Sequence, residues 1–167
     1  MNRDAFLECV HQNPHNEILL TRLADLALPD CHLVAGCLFQ AVWNIRSGWA
    51  PDRAVKDYDI FYFDDSDLSW AAEDAMVRRV EAAVADLGVA VDVKNQARVH
   101  LWYAQKFGPG YPRLTSSRDG IGRYLVACTC VGIAVADGAV TAPYGFDDLA
   151  QGILRMNPAN LRPALFR

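Results

Sequence analysis

The sequence predicts an α+β fold, α/β-like in its middle part, in which a mixed β-sheet carries helices packed on one face. Three observations support this. Apolar residues recur at helical spacing in several separate stretches, and short aromatic and β-branched runs lie between them. Late in the chain, a hairpin signal follows. The order is helices, then strand–helix–strand–helix–strand–helix, then a hairpin, and such an order builds a mixed sheet.

Element by element, residues 3–12 read as a short helix. Asn13 caps a second helix, with Pro14 at its first position and Leu19, Leu23, Leu26 and Ala27 on one stripe. "HLVA", residues 32–35, is a short strand, and Gly36 turns the chain into a helix with Leu38, Phe39, Val42 and Ile45 inward. Ser47-Gly48 ends that helix, and "WAPDRAVK" is a loop. Residues 57–63 form a strand by aromatic and β-branched content, and Asp65, Ser66 and Asp67 supply turn chemistry after it. A long helix runs from Ser69 to Leu87, with Met76, Val77, Val80, Ala83, Val84 and Leu87 as its stripe. Glu73 and Asp74 lie near its start, and Gly88 stops it.

"VAVDV", residues 89–93, alternates as a half-buried strand, and Asn95 caps the following helix, "QARVHLWYAQKF". "GPGYPR" is a loop, after which Ser116 or Ser117 caps a short helix. "LVACTCVGIAV" reads as a strand that turns at Asp137-Gly138 into "AVTAP", with "FDDLAQGIL" as the last helix. Residues 1–167 therefore form one expected domain: N-terminal helices over 1–30, a core over 31–107, and a helix–hairpin–helix portion over 108–167. No repeat or low-complexity linker divides it.

Composition narrows the function classes. No apolar run is long enough to cross a bilayer, and the first residues carry charges and a proline where a signal peptide needs an apolar stretch. A cytoplasmic location without a membrane partner is the expectation. A net charge of −4 argues against general nucleic-acid binding. The charges are unevenly spread: eight acids between Asp52 and Asp74 face only Arg53 and Lys56. From Lys94 to Arg123 the balance reverses, with Lys94, Arg98, Lys106, Arg113, Arg118 and Arg123 against Asp119. Brought together, these segments would set an acidic metal site against groups able to hold phosphate; kept apart, they are two solvated surfaces.

The five cysteines show no CxxC pair and read as small buried hydrophobes. Cys128 and Cys130 would share one face of a strand, but no neighbouring histidine completes a zinc set. His11 and His15 are expected at the surface, His100 as a packed ring, and most of Trp43, Trp49, Trp70 and Trp102 in the core rather than on a bound base.

The chemistry concentrates in "KDYDIFYFDD", residues 56–65. Strand alternation puts Asp57 and Asp59 on the face of Phe61 and Phe63, opposite Tyr58, Ile60 and Tyr62. In "VAVDV", Asp92 faces away from Val89, Val91 and Val93. If the two strands are neighbours, three carboxylates meet on one face. Without a cation their mutual repulsion raises their pKa values. A divalent cation removes that penalty, and an oxygen-only donor set suits Mg²⁺ or Mn²⁺; two such ions can hold a triphosphate for in-line displacement. A strand running through glycine into a helix N-terminus, as in "VAGCLFQAVWN", adds a second anion-binding feature.

Together these blocks resemble the polymerase-beta-type nucleotidyltransferase superfamily. More closely, "AGCLFQAVWN", "KDYDIFYFD", "VDVKNQARVHLWY" and "TAPYGFDDL" resemble a bacterial nucleotidyltransferase-like family over roughly residues 30–160. The resemblance implies a nucleotidyltransferase-like fold in which Asp57 and Asp59 bind both metals, while Asp92 completes the site and helps deprotonate an acceptor. It places Gly36 at the superfamily's glycine, and Cys37 where serine is usual. A thiol is a poor donor to phosphate, so backbone N–H groups would have to serve there. The longer spacing from Gly36 to Asp57 is a further departure, attributable to the "WAPDRAVK" loop. Lys94 and Arg98 are either phosphate ligands or salt-bridge partners of the acidic segment.

The reading that results is a metal-dependent nucleotidyltransferase that moves a nucleoside monophosphate from an NTP to an unidentified acceptor, a small molecule, nucleic acid or protein, releasing pyrophosphate. A catalytically inactive nucleotide- or metal-binding module of the same fold, and a protein whose acidic edge is only surface, stand as alternatives.

Overall fold

The computed structural model describes residues 1–166. The chain opens with α1 (Arg3–His11) and α2 (Pro14–Leu26). Asn2 accepts from the Ala5 N–H at the first helix, and Asn13 from the His15 N–H at the second, with Pro14 in the first turn as its fixed φ favours. Then come β1 (His32–Val34), α3 (Gly36–Arg46), β2 (Tyr58–Tyr62), α4 (Trp70–Val84) and β3 (Val91–Asn95). After these follow α5 (Val99–Phe107), α6 (Ser117–Ile121), β4 (Gly132–Ala134), β5 (Val140–Thr141) and α7 (Asp147–Gln151).

The five strands form one mixed sheet in the order β3-β2-β1-β4-β5. Only β2 and β3 run parallel, as the crossover through α4 requires. On one face Leu33, Tyr58, Ile60, Tyr62, Val93 and Ile133 are buried against α1, α2, α3 and α4, which contribute Phe6, Val10, Leu19, Leu23, Leu38, Val42, Val80 and Val84. Each fully buried side chain of this size contributes about 1.5–3 kcal/mol. That stabilisation holds the opposite face in place even where its charges are unfavourable.

The opposite face is only partly covered. Val34, Ala35 and Ile121 form a second, small cluster there with Phe39, Phe61 and Tyr124 packed against it. Gly132 makes this possible. A Cβ at that position would sit 2.5 Å from Ile121 Cδ1 and 3.2 Å from Val34 Cγ1, so any other residue would force the Ile121 side chain to shift.

The strands differ from expectation in detail. The second strand begins at Tyr58, so Asp57 lies just outside it and is exposed. The third covers 91–95 rather than 89–93, which brings Lys94 and Asn95 into the sheet. At the first strand-to-helix turn the left-handed backbone belongs to Ala35, with φ 52°, and not to Gly36. The "WAPDRAVK" loop is tied back to α3 by the buried Asn44, whose Nδ2 donates to the carbonyls of Pro51 (3.0 Å) and Arg53 (2.8 Å).

The largest difference is over "LVACTCVGIAV". Residues 127–129 coil into a 3₁₀ turn and only Gly132–Ala134 enters the sheet, so Cys128 and Cys130 do not share a strand face. The backbone here bonds to the C-terminal segment instead. Fully buried Asn157 donates from Nδ2 to the carbonyls of Gly122 and Tyr124, both at 2.7 Å, and from its N–H to that of Leu125 at 2.8 Å. The hairpin at Asp137-Gly138 forms with a longer loop than two residues, closed by the Gly138 and Ala139 region against Ala134.

Candidate active site

Asp59 and Asp92 are register partners on the parallel strands β2 and β3, so their side chains leave the sheet on the same, open face. The carboxyl of Asp59 is pushed up to about 7, first by burial and then by the charges of Asp57 and Asp92. Lys94 and a backbone hydrogen bond from Gly36 act in the opposite sense. A carboxyl raised that far carries roughly 4 kcal/mol against its charged form. The electrostatic tension expected from the sequence is therefore present, and centred on Asp59. Among the described residues, no three His, Cys, Asp or Glu side chains gather closely enough to enclose a metal ion. The donor chemistry nonetheless fits a hard divalent cation: three carboxylates, and one of them held at a pKa that a cation would relieve.

Gly36 borders this group directly. A Cβ there would stand 3.7 Å from Asp59 Oδ2. Gly36 and Cys37 are the first two residues of α3, so their N–H groups have no acceptor within the helix and sit at its positive end. The side chain of Cys37 turns away. It is fully buried in the main core, with Sγ 3.7 Å from the Val34 carbonyl, and burial followed by the charge of Asp59 pushes its thiol well up. What this turn presents to an anion is backbone, not thiol.

The two basic candidates separate. Lys94 stands on the face of Asp92 and bonds its Oδ1, with both side chains partly exposed. Arg98 does not reach the carboxylates. Its guanidinium is nearly buried, paired with Glu73, and donates from Nε to the Leu68 carbonyl at 2.8 Å. Of the two readings of Arg98, the salt bridge to the acidic segment is the one the fold forms, and it closes the α4–β3 corner.

Two groups near the site escaped sequence reasoning. Glu73, read as a helix-start acid, also accepts from the Asn95 N–H at 2.8 Å and so fixes the end of β3. Tyr124 stacks on Phe61 with ring centroids 5.8 Å apart, and burial followed by the charge of Asp59 pushes its hydroxyl well up. No periodic pattern marks either role. Glu73 lay within the acidic run, but only the fold supplies its partner. The tryptophan expectation also needs correcting: Trp49 and Trp70 are 50 % and 68 % exposed, and Trp43 packs against the core with Nε1 on the Leu149 carbonyl. His15 bonds Tyr58 Oη from Nδ1 at 3.2 Å, while His11 pairs with Glu17.

The mixed five-stranded sheet with its packed helices matches the fold of a nucleotidyltransferase head domain. The comparison of sequences agrees. The nucleotidyltransferase family matches residues 21–167, and the chain belongs to that family. Among solved structures, it is similar to a chain whose NMR structure is described as revealing a CCA-adding enzyme head domain. The two are 27% identical, with a TM-score of 0.77 over 95% of this chain and 80% of the other. No curated protein matches. Among the described residues, no helix is long and apolar enough to cross a membrane.

Proposed function

We propose that the protein transfers a nucleoside monophosphate from an NTP to an acceptor, releasing pyrophosphate, with Mg²⁺ or Mn²⁺ as cofactor and two ions in use. The observation that carries this is the register pairing of Asp59 with Asp92, which leaves Asp59 half-buried beside two like charges and against Gly36. Asp57, Asp59 and Asp92 are the residues that would hold the ions. Bound there, divalent cations neutralise the triphosphate and favour ionisation of an attacking hydroxyl near neutral pH. The first N–H groups of α3 bind phosphate oxygens without a side-chain donor, that of Cys37 foremost because Gly36 already donates to Asp59. Asp92, the more open of the paired acids, takes the acceptor proton, and Lys94 beside it moves from its carboxylate partner to phosphate as substrate enters. The whole of residues 1–167 acts as one unit, in a cytoplasmic setting that suits five free thiols.

Pyrophosphate release tests this reading. Each NTP is incubated with Mg²⁺ or Mn²⁺ and a cell extract, and the labelled product is isolated. Transfer by the wild type, lost in Asp92→Asn, is the expected result; equal release by both proteins removes Asp92 from the chemistry.

One observation favours a second reading, a nucleotide-binding module without turnover. The Cys37 thiol is buried where the family resemblance expects a serine, and Lys94 already compensates Asp92. Tight NTP binding with no release under any acceptor would select that reading.

A further inference from the structure

The carboxylates occupy only part of the open sheet face. Two residues further along the strands, about 7 Å by the strand rise, Phe61 and Lys94 line a cavity of about 240 Å³. Trp102 and Tyr103 of α5, with Tyr111 and Tyr124 from the segment after it, wall the cavity. The aromatic rings are already ordered as flat surfaces. Tyr103 stacks on Tyr111 at 3.8 Å with 23° between planes, and Phe61 on Tyr124 at 5.8 Å with 8°. Such a lining takes up a planar ring, since offset stacking adds about 0.5–1.5 kcal/mol per pair beyond area burial. Sites for drug-sized ligands span roughly 300–1,000 Å³, so this one admits a single ring system and a short arm.

Its place relative to Gly36 says which substrate it takes. The antiparallel pair Val34–Asp59 sends the chain from β1 to Gly36 toward the start of β2, on the flank of β1. The cavity lies toward the end of β2, on the flank of β3. Asp59 and Asp92 stand between the two. In an in-line displacement the attacking and leaving oxygens approach phosphorus from opposite sides.

Resting on the transfer reading above, we propose that this aromatic cavity is the acceptor site, and that the acceptor is a small molecule with a planar ring and a free hydroxyl. The ring stacks among Trp102, Tyr103 and Tyr124 while the hydroxyl projects past Lys94 to Asp92. Its oxygen forms the new bond to the α-phosphorus of the NTP. The bond from that phosphorus to the oxygen bridging to the β-phosphate breaks, and pyrophosphate leaves on the Gly36 side. The acceptor proton passes to the Asp92 carboxylate.

The test uses 2-(indol-3-yl)ethanol, a planar ring with a hydroxyl and no phosphate, titrated into the full chain and followed by NMR. Titrations are run without nucleotide and with saturating Mg²⁺ and each of ATP, GTP, CTP and UTP. The expected result is perturbation of the Tyr103 and Tyr124 ring signals both without nucleotide and with bound NTP, because donor and acceptor must occupy the protein together for transfer. Trp102→Ala should weaken the probe about tenfold, the loss of one stacking partner, and leave NTP affinity alone. Tyr103→Leu makes the same measurement should Trp102→Ala fail to fold. Displacement of the probe by an NTP would assign the cavity to the donor's base and overturn the acceptor site, leaving the transfer reading intact. Unchanged probe affinity in folded variants would also overturn it. Absence of NTP binding in every protein would instead remove the transfer reading, and the acceptor assignment with it.

Discussion

The two sides of β3 treat charge in opposite ways. On the covered side, Glu73 receives Arg98 and the Asn95 N–H, and Arg98 and Glu73 are both nearly buried, so each charge of the pair has its counterpart. On the open side, Asp59 and Asp92 stand in register with Asp57 close by, and among the described residues Lys94 is the cation that opposes them in the charge balance of Asp59. One corner is satisfied and holds the scaffold together. The other is under tension, and a bound ligand would relieve it. Composition does not separate them, since both are acidic residues facing basic ones across the same strand.

Breaking the satisfied corner should have the largest effect. Glu73→Ala leaves Arg98 buried without its anion and the Asn95 N–H without an acceptor, at a cost of about 3–5 kcal/mol. Urea denaturation measures it, and a loss below about 1 kcal/mol would mean that the corner is not structural. On the open side the loss should fall on rate instead. Asp92→Asn is expected to slow pyrophosphate release about a thousandfold, roughly 4 kcal/mol of barrier, with a melting temperature close to that of the wild type. A comparable loss of stability would place both corners in the same class.

The third prediction concerns pH. Asp59 titrates near 7 when folded, above its ordinary 3.8, so the stability linked to its proton is fully present below about pH 4. It is lost as pH rises through 7. Asp59→Asn should therefore stabilise the metal-free protein at pH 8, by up to about 4 kcal/mol, and the gain should vanish toward pH 4. Mg²⁺ or Mn²⁺ should raise the melting temperature of the wild type at pH 8 and leave the variant unmoved. A variant no more stable than wild type at pH 8 would show that the open side is not under tension.

The smallest effect on stability belongs to Gly36→Ala. The new Cβ meets Asp59 Oδ2 at an ordinary 3.7 Å, so denaturation should shift by less than about 1 kcal/mol. NTP affinity, read by calorimetry, should fall nonetheless, because the methyl group stands between the helix N-terminus and any phosphate.

Much of this was written locally. Asn2, Asn13 and Ser69 cap their helices, and the stripe through Val80 and Val84 faces the core, because capping and helical period depend on neighbours a few residues away. Alternation likewise put Tyr58, Ile60 and Tyr62 inward and Asp59 outward. The C-terminal portion was less legible. "LVACTCVGIAV" has the composition of a strand, yet its first residues bond to the C-terminal segment, the Leu125 carbonyl to the Asn157 N–H and the Ala127 N–H to the Arg155 carbonyl, and residues 127–129 coil.

By itself, then, the sequence determined the helices and which way the strand residues face, since each follows from backbone period and local hydrogen bonding. Tertiary structure decided what the period cannot reach. It paired Asp59 with Asp92 by strand register, sent Arg98 to Glu73 and not to phosphate, and turned the Cys37 thiol into the core. The reason is physical: a charge or a polar group takes its role from the partner that burial brings to it, and that partner lies elsewhere in the chain.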